Sequence, residues 1–328
     1  MQRRPLLSGI AASLAAPGLL AQPSSTKAAP LVGVLITTSL TQGLNAQTVA
    51  ILRQELAKSG YVDGQTLRLD IQSAGGAPEK LAGLAKDLVA RDAAVLCAFG
   101  PAAVRAARAA TVTVPIVALD LETDPVREGW VRTLSRPGTN VTGLFLDLSV
   151  LTGKWLELLR AAVPRMRRVA VLWDASTGYA QLDAMAAATA SMAVEAKILR
   201  FANATDLDRL LEERGRDGVD ALSMLSSPIV RNASKQLADY TRKMKLPAIS
   251  PFAPFAEFGG LMAYGPDLTN FFRRSAAFVS KILSGAAPSE VPIEQPTKFE
   301  MVMNLKTANA LGLTPSRELL LSADKVLE

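Results

Sequence analysis

From Leu31 onward the chain repeats one unit: a short apolar run, a loop of small or polar residues, then a stretch with helical periodicity. Neighbouring parallel strands need a long crossover, usually a helix, so this alternation predicts parallel sheets with helices on both faces. The run Leu31–Ile36 opens the first unit and the loop 37–41 closes it. Residues 47–59 then place Val49, Leu52 and Leu56 on one face before Gly60, where a helix would stop. A strand over 66–71, a helix over 78–91 with proline at its start, a strand over 95–99, the Gly100-Pro101 turn, an alanine-rich helix over 102–110 and a strand over 114–119 follow.

After a segment of turns the pattern begins again. A helix over 151–162 precedes a strand over 168–173, which ends in the polar loop 174–178. Helix 179–195, strand 197–201, helix 205–214, strand 221–225, helix 231–243 and strand 246–250 come next. A strand over 260–264, a helix over 267–284, a strand over 299–304 and two terminal helical pieces complete the series. The two halves have similar size and order, and 328 residues suit two domains. The expected fold class is therefore α/β, with two doubly wound parallel-sheet lobes. Ligands collect at the carboxyl ends of such strands, so two facing lobes make a cleft.

Composition removes most chemistry. The chain has no histidine, which takes away the usual general base and the commonest metal ligand. Cys97 is the sole cysteine, so neither an intrachain disulfide nor a thiolate zinc site can form; its apolar surroundings over 93–99 predict a buried structural thiol. No G-x-S-x-G, phosphate loop or dinucleotide fingerprint is present, and the glycine pairs Gly75-Gly76 and Gly259-Gly260 lack the needed spacing. No catalytic residue, cofactor or metal is expected. An enzyme built on the same scaffold with Asp, Ser or Lys is the minor rival. The net charge of +6 is scattered, and the basic pieces 165–168 and 242–245 lack the interleaved aromatics of a nucleic-acid surface, so no nucleic acid is expected.

Residues 1–22 read as a signal peptide: Arg3-Arg4, a mildly apolar stretch, and Leu19-Leu20-Ala21 as a small-residue cleavage site. The paired arginines fit twin-arginine export incompletely, and Sec export equally. No cysteine follows the apolar stretch, so an unanchored periplasmic protein is expected, with 23–30 as a flexible leader.

Several longer stretches carry a resemblance. They are Asp124-Pro125, residues 136–143 (RPGTNVTG), Lys154-Trp155 through Leu159 ahead of 169–173, Tyr264-Gly265-Pro266-Asp267, Gln295 to Glu300, Asn304 to Ala308, and Ala310 to Leu313. In order and spacing they resemble the ABC-transporter substrate-binding family with the type I periplasmic-binding-protein fold, including tryptophan-type binding proteins. The resemblance implies a first lobe of 31–147 plus 265–290 and a second of 148–264 plus 291–328, joined by a multi-strand hinge. It implies a small-molecule ligand, an inner-membrane ABC permease as partner, and a monomer that closes on its ligand. A ligand-sensing module for a partner receptor shares this fold and is the alternative. Tryptophan-type members are similar in having a histidine soon after the first strand, where this chain offers only Thr, Ser, Gln and Leu, so ligand identity does not carry over.

The loops that end strands supply the candidate ligand-binding residues: Thr37, Thr38 and Ser39; Phe99, Gly100 and Pro101; Thr123 and Asp124; Thr142; Trp173 and Tyr179; Ser226 and Ser227; Pro251 and Phe252; and Asp267. Hydroxyls and free N–H groups at helix starts suit a carboxylate, and Trp173, Tyr179, Phe252 and Phe255 suit an apolar body. An amino acid or small organic acid fits. Asp120, Asp124 and Asp267 would hold an ammonium group, although Asp124 and Asp267 equally suit turn and helix caps. Phe252 and Phe255 read either as cleft wall or as packing on their own lobe. Thr142 reads either as ligand contact or as hinge.

Overall fold

The computed structural model describes residues 28–40, 44–213 and 218–328. The expected signal peptide 1–22 and most of the leader lie outside the described residues. The first sheet is built from β1 (Leu31–Ile36), β2 (Arg68–Ser73), β3 (Ala93–Phe99), β4 (Ile116–Asp120) and β5 (Val141–Phe145), all parallel, in the order β2-β1-β3-β4-β5. Helices α1 (Asn45–Lys58), α2 (Leu81–Ala90) and α3 (Pro101–Ala110) are its crossovers. Every residue of β1, β4 and β5 is buried, as a parallel sheet covered on both faces requires.

The second sheet uses α4 (Thr152–Ala162), β6 (Arg168–Asp174), α5 (Ala180–Ser191), β7 (Glu195–Phe201), α6 (Ala204–Glu213), β8 (Ala221–Met224), α7 (Pro228–Asn232), α8 (Ser234–Lys243), β9 (Ala248–Ser250), α9 (Ala253–Glu257) and β10 (Met262–Pro266). After α10 (Leu268–Leu283) come β11 (Phe299–Asn304), α11 (Leu305–Ala310), α12 (Arg317–Leu321) and β12 (Lys325–Leu327). Its order is β12-β11-β10-β9-β8-β6-β7; β11 pairs antiparallel with β10 and parallel with β12, so these two strands at one edge run against the other five. Both lobes are thus the α/β sheets that the alternation implies.

Boundaries differ where local chemistry outweighs periodicity. The helix expected over 231–243 starts earlier and is broken at Ala233: Ser227 caps the backbone N–H of Val230 and starts α7 at Pro228, and α8 follows from Ser234. The strand expected over 66–71 shifts to 68–73, and β12 is a short strand where a helical end was expected.

The chain changes lobes three times. It leaves the first sheet after β5, and it leaves the second after β10, when α10 returns to pack on α1 and the first sheet. The third change follows Glu294 instead of preceding Val291: Ile293 is buried in the first lobe's core, and Glu294 exchanges backbone bonds with β5, Glu294 N to Gly143 O at 3.0 Å and Phe145 N to Glu294 O at 3.1 Å. Val291 and Ile293 are both buried, and the Val291 carbonyl accepts from Thr142 Oγ1 of β5 at 2.8 Å, which keeps this stretch on that lobe. Gly143 sits here at φ +131°, and a Cβ would lie 2.1 Å from the Ala118 carbonyl oxygen of β4, so only glycine fits the hinge strand.

Candidate functional site

The carboxyl ends of both sheets face one another, and the lobes touch. One segment of the second lobe, residues 226–232, runs across three strand ends of the first. Ser226 Oγ donates to Glu122 Oε1 at 2.6 Å, just past β4. Pro228 lies against Gly100 at the end of β3, so closely that a Cβ on Gly100 would meet its ring at 2.5 Å. Arg231 then reaches α1, donating from Nη2 to Thr48 Oγ1 at 2.8 Å, and the backbone N–H of Leu44 donates to Asn232 Oδ1 at 3.0 Å. Elsewhere along the cleft Ala204 N donates to Gly76 O at 3.0 Å, and Arg105 of α3 donates to the Ser176 carbonyl. These contacts describe a shut cleft.

Three carboxyl groups are buried at this junction. Asp120 ends β4 at 0% exposure, Glu122 follows at 4%, and Asp174 ends β6 at 1%. Burial pushes the Asp120 carboxyl up to about 6, tempered by hydrogen bonds from Glu122 N–H and Thr123 and by the charge of Arg105. Burial pushes Glu122 well above the ordinary range, and the neighbouring Asp120 charge pushes it further. Asp174 is raised by burial, with hydrogen bonds from Ser176 and Ser227 opposing. Asp120 Oδ2 and Asp174 Oδ2 have no hydrogen-bond partner. A buried carboxylate oxygen without a donor costs several kcal/mol by order of magnitude, and a proton or a cationic donor relieves it. Among the described residues no group of three or more acidic, histidine or cysteine side chains could hold a metal ion.

At the other end of the same strand row the chemistry changes sign. Thr37 Oγ1, just past β1, is buried without a partner. Asn45 Nδ2 donates to Thr38 Oγ1 and, at 2.9 Å, to Ser39 O. Beside them the Arg231 guanidinium stacks over the Phe272 ring, 4.7 Å from its centroid, and Phe272 stacks on Phe99 at 5.9 Å. Desolvation lowers the Arg231 guanidinium to about 10, and its Nε is buried with no acceptor. Open space flanks this region: a cavity of about 590 Å³ between Thr38, Gly76, Ala204 and Asn232, and one of about 280 Å³ between Thr48, Arg231, Phe272 and Glu300.

The structure brings Thr37, Thr38, Ser39, Phe99, Gly100, Pro101, Thr123, Ser226 and Ser227 to this junction, with Ser226 braced by Gln181, which bonds both its N–H and its C=O. The remaining candidates have partners within their own turns or lobes, and Asp267 also lines the cavity beside Arg231. Asp124 accepts from the N–H groups of Val126 and Arg127, and Asp267 caps α10 through Thr269 N and Asn270 N, so both are caps. Thr142 Oγ1 donates to Val291 O at 2.8 Å and fixes the hinge. Trp173 donates its indole N–H to Gly178 O and packs on Tyr179, which is 65% exposed. Pro251 passes close to Gly265 of β10, and Phe252 and Phe255 are buried in the second lobe, Phe255 against Gly260. Glu122, Asp174 and Arg231 are additions. Asp174 and Asp120 had a legible signal, an acid ending an otherwise apolar strand; Arg231, on a five-residue helix, had none.

A family model, ABC transporter substrate binding protein, matches residues 32–327. The chain belongs to that family. Solute binding for an ABC transporter is accordingly the role in which the two-lobed cleft serves. The chain is 23% identical over 274 residues to a tyrosine-binding protein of Clostridioides difficile, covering 83% of this chain and 76% of that protein. It is similar in structure to the ABC domain in complex with L-Trp from Streptococcus pneumonia, with a TM-score of 0.79, 21% identity, and 91% and 99% of the two chains covered. A ligand-free, open substrate-binding protein with adhesive properties from Clostridium difficile gives 0.58 at 23% identity over 91% and 99%. This ABC transporter substrate-binding protein has Cys97 fully buried in β3, its thiol pushed up to about 12 by desolvation. Among the described residues no helix is long and apolar enough to cross a membrane.

Proposed function

We propose that this protein captures a free amino acid outside the cytoplasm, as a monomer, and delivers it to an inner-membrane permease after export through its N-terminal leader. The lobes are taken as 31–147 with 265–294, and 148–264 with 295–328. The observation that carries the ligand class is the set of buried carboxyl groups contributed by both lobes, Asp120, Glu122 and Asp174, with two oxygens lacking any donor. An α-ammonium group supplies three donors and one positive charge to such a site. The N–H groups at the start of α3, at the end of β3, suit the α-carboxylate. Because Glu122 and Ser226 come from different lobes, a ligand that bonds both sides stabilises the shut form over the open one.

Two relatives support the class: one is named for tyrosine binding, and one was solved with L-Trp. The higher similarity to the L-Trp complex than to the open, ligand-free protein agrees with the cross-cleft contacts. The test is calorimetric titration against the proteinogenic amino acids, their deaminated analogues, sugars and polyamines. Amino acids bind and the deaminated analogues lose most of the affinity if the carboxyl groups hold the ammonium; equal binding of an amino acid and its deaminated analogue would refute the assignment.

A further inference from the structure

The shut cleft holds two opposite poles, and the second is unused by an α-amino acid backbone. Segment 226–232 links them: Ser226 at Glu122, then Pro228 at Gly100, then Arg231 at Thr48. Strands β1 and β4 flank β3, with Ile36 paired to Phe99 and Phe99 to Leu119, so Thr37 and Asp120 lie two strand spacings apart, roughly 10 Å. The span is much greater than the gap between the ammonium and carboxylate of one α-carbon. It matches the reach from the α-ammonium of an aromatic amino acid to the far edge of its ring. Between the poles stand rings that suit such a body, Phe99 stacked on Phe272.

Arg231 closes the far pole. Its Nη2 is committed to Thr48 Oγ1 and one face to the Phe272 ring, while Nη1 lies 3.5 Å from Asn45 Oδ1. Its Nε–H is buried and aimed at no acceptor, and no carboxylate bonds the group, although Glu257, Asp267 and Glu300 line the adjoining cavity. A buried charged donor left unmade is costly, and a ligand oxygen is the partner that relieves it. A phenol oxygen accepts; an indole N–H only donates, and an unsubstituted ring does neither.

We propose that Arg231 is a specificity-determining residue whose Nε donates to an acceptor oxygen at the distal end of a bound aromatic amino acid, selecting a phenolic side chain over a bare or indole one. This rests on the reading that the α-ammonium lies at Asp120, Glu122 and Asp174. Full-length protein is titrated with L-tyrosine, L-phenylalanine and L-tryptophan, alongside R231M and R231K. The wild type is expected to bind tyrosine at least about 10-fold tighter than phenylalanine, and R231M to bring the two affinities within about 3-fold of one another, the ratio being the readout because loss of the Thr48 bond weakens closure on both. R231K, which keeps the charge but not the planar fork, is expected to lose the preference too. Equal affinity for tyrosine and phenylalanine in the wild type, which needs no variant to fold, overturns the proposal. So does R231M weakening both ligands equally, which would make Arg231 a closure contact alone. If none of the three amino acids binds while another amino acid does, this proposal fails and the ammonium site stands; if no amino acid binds, both fail.

Discussion

Affinity in a two-lobed binder depends on how readily the lobes shut, so a change that obstructs closure without touching the ammonium site should weaken binding. Gly76 offers that test. It follows β2 at φ +91°, and a Cβ built there would lie 2.5 Å from the Ala204 Cβ of the other lobe. The same two residues share a backbone hydrogen bond across the cleft, Ala204 N to Gly76 O at 3.0 Å. In Gly76→Ala the methyl groups need about 1 Å more room, and relief costs that bond or displaces α6; overpacking of this size costs about 1–3 kcal/mol. The cost falls only on the shut form, so it converts to a loss of affinity of about 5- to 150-fold at 1.4 kcal/mol per factor of ten. The left-handed backbone strain of alanine falls on both forms and cancels. Gly60→Ala is the control: φ is +84° and nothing lies within 4 Å of its Cβ. Calorimetric titration with the tightest-binding amino acid, together with small-angle scattering of the unliganded variants, reads the effect. The reasoning is refuted if Gly76→Ala binds within twofold of wild type, or if Gly60→Ala weakens binding as much.

Other consequences follow from the buried carboxyl groups and the thiol. Asp174→Asn should abolish most amino-acid binding, while the melting temperature of the unliganded protein holds or rises because a buried, under-bonded acid has gone; a fall in both would mark Asp174 as structural only. Asp120 is raised in the folded protein from 3.8 to about 6, so folding holds its proton: unliganded stability should be greatest near pH 4 and decline as pH rises through 6, followed by chemical denaturation across that range. Ligand affinity should move the opposite way over the same window, because the ammonium group needs the charged carboxylates. Cys97 should resist alkylation in the native protein at pH 8 and react once the chain is unfolded, with rapid native labelling counting against its burial in β3.

The fold was legible because hydrophobic spacing is a signal carried by every residue of a strand. Leu31–Ile36 and Ala93–Phe99 are almost wholly buried, and the apolar runs that announce them are long enough to fix their type, though not their ends. Ends are set by single contacts that spacing does not encode. The cap of Ser227 on Val230 starts α7 at Pro228, and the pairing of Glu294 with Gly143 holds the third crossing on the first lobe. The same limit governed the site. Thr37, Gly100 and Ser226 could be placed because the loop after any parallel strand faces the cleft. What distinguishes Asp120 from Asp124 is the burial of the second carboxyl oxygen. Both accept N–H groups of their own turn through Oδ1; Asp124 is half-buried, whereas Asp120 is fully buried with Oδ2 unpartnered.

That contrast bears on how such a cleft recognises its ligand. A capped acid is satisfied in the open and shut forms alike, and so cannot bias closure. An acid whose second oxygen is hydrated when open and buried unpartnered when shut opposes closure until a donor arrives. Asp120 and Asp174 stand on opposite lobes in this condition, with the Arg231 Nε in the complementary one. Closure without ligand then strips water from two acids and one base at once, and closure around a ligand with matching donor and acceptor restores all three. The groups left unsatisfied by the protein itself therefore define the ligand more sharply than the many hydroxyls already bonded within their own lobe.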